Sequence, residues 1–172
     1  IWGFSVQTTK DFEIIIADDG SREDTKNLIE KYKTELDIPI IHVWQEDNGF
    51  QKSQILNKAI LASTTDYLIF TDGDCIPRKD FVETHLNNRE SGRFLSGGYF
   101  MLPMNISKLI SKEDVLSQKC FDVNWLTQNG LKKSFKNNKL SAKAFKAKLL
   151  NFLTPTKPSW NGHNASGWKK DL

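Results

Sequence analysis

The sequence predicts an open α/β sheet with helices on both faces. Three observations lead there. Strand-sized apolar runs alternate with segments whose apolar residues repeat at helical spacing, the connections between them are short, and two of the strands end in acidic turns. Strand–helix alternation with short connections implies parallel strands joined by right-handed crossovers, and such sheets bind ligands at the carboxyl ends of their strands. With 172 residues, 38% hydrophobic and 26% charged, the chain is long enough for a core without disulfides and too apolar for a mainly disordered polymer.

The elements follow in order. Asp11 to Ala17 reads as a buried strand closed by Asp18-Asp19-Gly20-Ser21. Ser21 or Asp24 is a candidate cap for a helix from Arg22 to Glu35, with Leu28, Ile29, Tyr32 and Leu36 at helical spacing. Pro39 stops that helix before a second strand, Ile40 to Trp44. The loop Gln45 to Phe50 leads to a helix at Lys52 to Ala62 that turns Ile55, Leu56, Ala59 and Ile60 inward. A third strand, Asp66 to Thr71, ends in Asp72-Gly73-Asp74-Cys75, and Pro77 opens a helix reaching about Asn88. Phe94 to Phe100 reads as a strand interrupted by Gly97-Gly98.

The last third differs in kind. Ser111 to Asn129 and Ser141 to Leu153 read as helices, Trp160 to Trp168 as a loop or short strand, and Lys169 to Leu172 as the opening of another helix. Between Val123 and Lys170 lie ten lysines and no acidic residue, so this stretch carries +10 and the remainder −7. A cationic amphipathic segment over 131–153 suits peripheral contact with an anionic membrane, or a solvated face packed on the domain. No nucleic-acid-binding motif accompanies the lysines. The longest apolar runs are too short to span a bilayer, and Ile1-Trp2-Gly3-Phe4 lacks the basic flank of a signal peptide. Two cysteines, Cys75 and Cys120, fit a reducing compartment rather than a disulfide framework.

Chemistry concentrates in the acidic turns. Asp72 and Asp74, one glycine apart after a buried strand, can converge on a hard divalent ion that keeps sites open for phosphate and water. The plain alternative is an Asp-Gly turn whose acids cap a loop. Asp18 and Asp19 close a different strand, where a carboxylate can accept from ribose hydroxyls or a pyrimidine N–H, or cap the next helix. Lys52 sits at a helix start behind a Gly-containing loop, within reach of a diphosphate. A phosphorylated receiver domain also carries an early acidic pair, but Asp-Gly-Asp does not fit its single phospho-acceptor.

Taken in order, Ile-Ile-Ala-Asp-Asp-Gly-Ser, then Asn-Gly-Phe with Asn57 downstream, then Phe-Thr-Asp-Gly-Asp-Cys-Ile-Pro closely resemble family 2 glycosyltransferases of the GT-A fold. The tail Gly162-His163-Asn164-Ala165-Ser166-Gly167-Trp168-Lys169-Lys170-Asp171-Leu172 resembles the start of a galactosyltransferase-type C-terminal segment. The likeness is dense over Val6 to Arg93 and returns over Trp160 to Leu172. It implies a Rossmann-like three-layer αβα sandwich with a mostly parallel sheet, a nucleotide-sugar part over 1–100 and a helical, acceptor-side part over 101–172.

It implies, further, inverting transfer of a sugar from a UDP-sugar to a hydroxyl of a saccharide or lipid-linked acceptor. The setting would be bacterial surface-polysaccharide assembly, in the cytoplasm at the inner face of the membrane. Asp18 or Asp19 would hold the uridine, and Asp72 and Asp74 would bind Mn²⁺ or Mg²⁺, Asp74 more directly. Gly162 and Asn164 would border the sugar pocket, with His163 a further candidate metal ligand. Against the family pattern, the first strand and the acceptor-side acidic pair are missing, so the chain is expected to be most of a catalytic domain. The catalytic base would then lie beyond Leu172. Two rivals remain: a non-catalytic nucleotide-sugar-binding or assembly subunit, and a nucleotidyltransferase, which would want a Gly-rich basic phosphate loop near the start.

Overall fold

The structure, a computed structural model, describes residues 1–142 and 159–172. A short helix α1 (Trp2–Ser5) precedes β1 (Ile14–Asp18), α2 (Glu23–Glu35), β2 (Ile40–Trp44), α3 (Lys52–Ala62), β3 (Tyr67–Phe70) and α4 (Phe81–Asn88). There follow β4 (Leu95–Ser96), α5 (Met104–Ser107), α6 (Lys112–Leu116), α7 (Val123–Gln128), α8 (Asn138–Ser141) and β5 (Ala165–Trp168). The apolar runs became strands because Ile, Val and Phe favour a pleated, covered surface. The helices between them present Ile29, Ile55, Ala59 and Val82 inward, each under a tenth exposed. Burying a side chain such as Ile55 contributes about 2 kcal/mol. Helix α3 packs on β1 and β2 through that face.

Strands β1 and β2 pair in parallel, Ile14 opposite Ile40 through Asp18 opposite Trp44. Strand β5 inserts antiparallel between β3 and β4, with Tyr67 opposite Trp168 and Leu95 opposite Ser166. The open α/β architecture is present, and among the described residues its strands form two sheets: the parallel pair β1–β2 and the antiparallel β3–β5–β4, with β5 in the middle. Chain returning from the far end supplies the central strand, which strand–helix alternation alone does not reveal. The start of β3 is tied to β1 by Glu13, whose Oε1 accepts from the Thr64 N–H at 2.8 Å and the Thr64 hydroxyl at 3.0 Å.

Several elements differ from the sequence pattern. The N-cap of α2 is Arg22 and makes no side-chain cap bond. The Ser21 N–H is instead taken by Asp18 Oδ1 at 2.8 Å. Helix α4 begins at Phe81, and Pro77 lies in the loop ahead of the turn that leads into it. There Arg78 pairs with both oxygens of Asp80 and donates to the Ala142 carbonyl at 2.9 Å, pinning the end of α8. The strand read at Phe94 to Phe100 keeps only Leu95–Ser96. The helix read at Ser111 to Asn129 is broken: Gln118 turns left-handed at φ 61°, and Asp122 caps α7 afresh through its bonds to Asn124 and Trp125. A second apolar cluster of Ile106, Leu126, Leu131 and Leu140 holds these short helices together. Most of the helix read at Ser141 to Leu153 falls outside the described residues.

Candidate active site

Both acidic turns stand at the carboxyl ends of their strands, and each is organised by its neighbours. Asp18 is buried, with Oδ1 accepting from the Ser21 N–H and Oδ2 lying 2.8 Å from His42 Nε2 on the adjacent strand. Burial pushes this carboxyl up, but the Ser21 and His42 hydrogen bonds and the His42 charge together outweigh it and hold it below the usual value. Asp19 faces the loop after β2. Its Oδ1 accepts from Gln45 Nε2 at 2.5 Å and its Oδ2 from the Gln51 N–H at 2.8 Å. Gly20 makes the close approach to that loop possible. It sits at φ 92°, and a Cβ there would come within 2.6 Å of Asp47 Cα.

The second turn is more open. Asp72 is half-buried, Asp74 is exposed, and nothing lies within 4 Å of the place a Gly73 Cβ would take. Lys52, at the first position of α3, reaches Asp72 Oδ1 at 2.8 Å. A Cβ built on Gly162 would sit 3.8 Å from the same Lys52 nitrogen. The structure therefore brings together Lys52, Asp72 and Gly162, from three parts of the chain, past the carboxyl end of β3.

Asn164 is engaged within the protein, donating to the Gly98 carbonyl at 2.8 Å and accepting from His85. His163 stacks edge-on against Tyr99, ring centroids 4.7 Å apart, with its Nε2 buried and unbonded. Among the described residues no three His, Cys, Asp or Glu side chains gather in a metal-holding cluster, so His163 does not join Asp72 and Asp74 in one. The two carboxylates nonetheless suit a hard divalent ion: all-oxygen donors beside open space leave most of the coordination shell to water and phosphate.

His42, Gln45, Gln51, His85 and Tyr99 were not singled out from the sequence. His42 and His85 carried a signal, each being a lone ionisable residue on an otherwise apolar stripe: Ile40, Ile41 and Val43 around the first, Phe81 and Val82 beside the second. Cys75 and Cys120 are free. Burial, reinforced by Asp74 and Asp72, raises the Cys75 thiol, and burial pushes the Cys120 thiol to about 11.

Acidic turns at two strand ends, with Lys52 paired to Asp72 of one and Gly162 beside that pair, stand where α/β sheets of this class bind their ligands. The chain belongs to glycosyl transferase family 2, whose family profile matches residues 2–112. It is 32% identical to the chondroitin synthase of Pasteurella multocida (strain Pm70) over 46% of this chain and 8% of that protein. It is 37% identical to the hyaluronan synthase of Pasteurella multocida over 44% of this chain and 8% of that protein. It is also 30% identical to the validoxylamine A glucosyltransferase of Streptomyces hygroscopicus subsp. jinggangensis (strain 5008), over 46% of this chain and 19% of that protein. The matched stretch thus spans a small part of the length of each of these relatives.

Proposed function

We propose that this domain binds a UDP-sugar and that the protein is an inverting, metal-dependent glycosyltransferase. The acceptor would be a hydroxyl of a saccharide or a lipid-linked saccharide, in surface-polysaccharide synthesis. The observation that carries this reading is the convergence of Lys52, Asp72 and Gly162 past the carboxyl end of β3 in a family 2 chain. Asp72 and Asp74 would hold Mn²⁺ or Mg²⁺, which when bound supplies neutralisation of charge on the departing diphosphate. Lys52 adds a second positive charge on the same side, its ammonium free to exchange the Asp72 carboxylate for a phosphate oxygen. Asp18 and Asp19 set the frame for the uridine: one braces β1 against β2, the other fixes the loop that delivers Lys52. The general base belongs to no residue assigned in this chain. Similarity to a chondroitin synthase and a hyaluronan synthase of Pasteurella multocida supports a polysaccharide product.

Among the described residues no helix is long and apolar enough to cross a membrane. The exposed Lys132, Lys133 and Lys139 support a peripheral contact through 131–153 at the inner face of the membrane, much of that segment lying outside the described residues.

The test is calorimetric titration of UDP into the full-length protein. Binding tightens with Mn²⁺ relative to EDTA, and Asp74→Asn abolishes the difference. Equal binding in both conditions sinks the metal assignment. Release of UDP from candidate donors, with anomeric configuration inverted in the product, supports transfer. UDP binding without turnover on any donor and acceptor points instead to a nucleotide-sugar-binding or assembly subunit.

A further inference from the structure

Behind the candidate site runs a hydrogen-bonded chain that the motifs do not include. His85, on α4, is buried, with Nδ1 2.7 Å from Ser166 Oγ and Nε2 3.0 Å from Asn164 Oδ1. Ser166 Oγ is in turn 2.7 Å from the Tyr67 hydroxyl. The directions of these bonds follow from chemistry. Asn164 Nδ2 donates to the Gly98 carbonyl at 2.8 Å, which fixes the amide with its oxygen toward His85. An amide oxygen only accepts, so His85 Nε2 carries the hydrogen. A neutral ring then accepts at Nδ1 from the Ser166 hydroxyl, and Ser166 accepts from Tyr67. Every member is paired once His85 is neutral, the state burial favours by pushing its pKa down.

The end of this chain is a turn of the candidate site. Asn164 also accepts the Gly97 N–H at its carbonyl, 2.8 Å away, and its side chain lies so flat on Gly97 that a Cβ there would come within 2.6 Å of the amide. The turn closes through Asn164 N–H to the Asn161 carbonyl at 3.0 Å, and Asn161 Nδ2 reaches Ser96 Oγ at 3.0 Å. Gly162, inside it, flanks Lys52. An apolar residue at position 85 would fill the same space but leave the Ser166 hydroxyl hydrogen and the Asn164 oxygen without partners.

We propose that His85 is a positioning residue for the donor sugar: through its Nε2–H it holds Asn164, and so sets the Asn161–Asn164 turn beside the Lys52–Asp72 pair. The assignment rests on the nucleotide-sugar reading of that site. His85 acts through Asn164 and touches no substrate. A turn held in this way discriminates the sugar end of the donor and leaves the nucleotide end, at the other acidic turn, unaffected.

The experiment uses the full-length protein, with UDP and, in turn, UDP-glucose, UDP-galactose, UDP-N-acetylglucosamine and UDP-glucuronate as probes. His85→Asn keeps a polar group toward Ser166 but has no atom at Nε2. It weakens the best-bound donor about tenfold, the scale of one well-placed hydrogen bond, and leaves UDP within about twofold. His85→Gln, whose amide N–H falls near Nε2, recovers most of the loss. In the wild type, ¹⁵N NMR shows a neutral Nε2–H ring whose shift responds to UDP-sugar and not to UDP, a result that needs no variant to fold. Equal effects on UDP and UDP-sugar, Gln no better than Asn, or an Nδ1–H or charged ring would overturn the assignment while leaving nucleotide binding intact. A wild type that binds neither UDP nor any donor overturns the donor-site reading itself, and this assignment with it.

Discussion

The Asp19 carboxylate accepts the backbone N–H of Gln51 at 2.8 Å, so the acidic turn after β1 holds the residue from which α3 starts. Its other oxygen takes Gln45 Nε2, and the loop between is clamped at both ends. Lys52 follows Gln51 directly, so its reach to Asp72 depends on this clamp. Asp19→Ala is expected to cost about 2–3 kcal/mol in urea denaturation, the scale of hydrogen bonds to a charged acceptor. Asp19→Asn retains one acceptor oxygen and loses less. Equal stability for all three proteins would show that the clamp contributes nothing.

That clamp also marks how far the sequence could be read. The apolar runs at Ile14–Ala17, Ile40–Val43 and Tyr67–Phe70 were legible because strand formation there is decided locally, by side-chain type and flanking turns. Likewise the acidic turns were legible as places. Their occupation was not, since the partners of Asp18 and Asp19 are His42, Gln45 and Gln51, brought near only by the β1–β2 register and the loop that follows it. The same holds for β5, whose antiparallel seat beside Tyr67 depends on residues about a hundred positions away. The break at Gln118 was hidden because helical spacing continues on either side of it, and one left-handed residue leaves no mark in a hydrophobic pattern.

A divalent cation at Asp72 would compete with Lys52 for that carboxylate. The pair is about half exposed, so the attraction is worth about 1 kcal/mol or less in water. Removing the ammonium leaves Asp72 free for a metal but removes a charge that would face a diphosphate. Lys52→Ala is therefore expected to raise the affinity for Mn²⁺ alone by up to about fivefold and to weaken binding of UDP in the presence of saturating Mn²⁺. Isothermal titration of the two ligands in turn separates the effects. Loss of Mn²⁺ affinity in the variant would show that Lys52 supports the acidic turn rather than competing for it.

Acid should destabilise the domain in two stages. His85 has a lowered pKa in the fold, so the unfolded chain takes up its proton first. Stability falls as pH drops below about 6.5, until the folded-state value is reached. Asp18 also has a lowered pKa, and its contribution is present above about pH 3.9 and disappears as pH falls through the folded value. Urea midpoints measured from pH 7.5 to 3 read both. His85→Gln flattens the upper stage and leaves the lower, whereas Asp18→Asn does the reverse at a general cost in stability. A wild-type midpoint unchanged between pH 7 and 5 would contradict the buried neutral imidazole.

Each acidic turn carries one glycine, Gly20 after its aspartate pair and Gly73 between its aspartates, and only Gly20 is confined. Gly20 combines φ 92° with a Cβ position 2.6 Å from Asp47 Cα and Cβ, both parts of a clamped loop that has little room to withdraw. At Gly73 φ is not in the left-handed region, and the Cβ position is empty to 4 Å. Gly20→Ala is expected to cost about 2–4 kcal/mol, from strained backbone plus overpacking, and to weaken UDP binding by moving Lys52. Gly73→Ala should lie within about 0.5 kcal/mol of wild type in the ligand-free protein. Its effect belongs to binding, because the added methyl would enter the open space between Asp72 and Asp74. Thermal melts with and without Mn²⁺ and UDP check both. A Gly73→Ala protein that melts like wild type alone, yet gains less from the ligands, would show that the glycine is kept for the space it leaves rather than for the turn it makes.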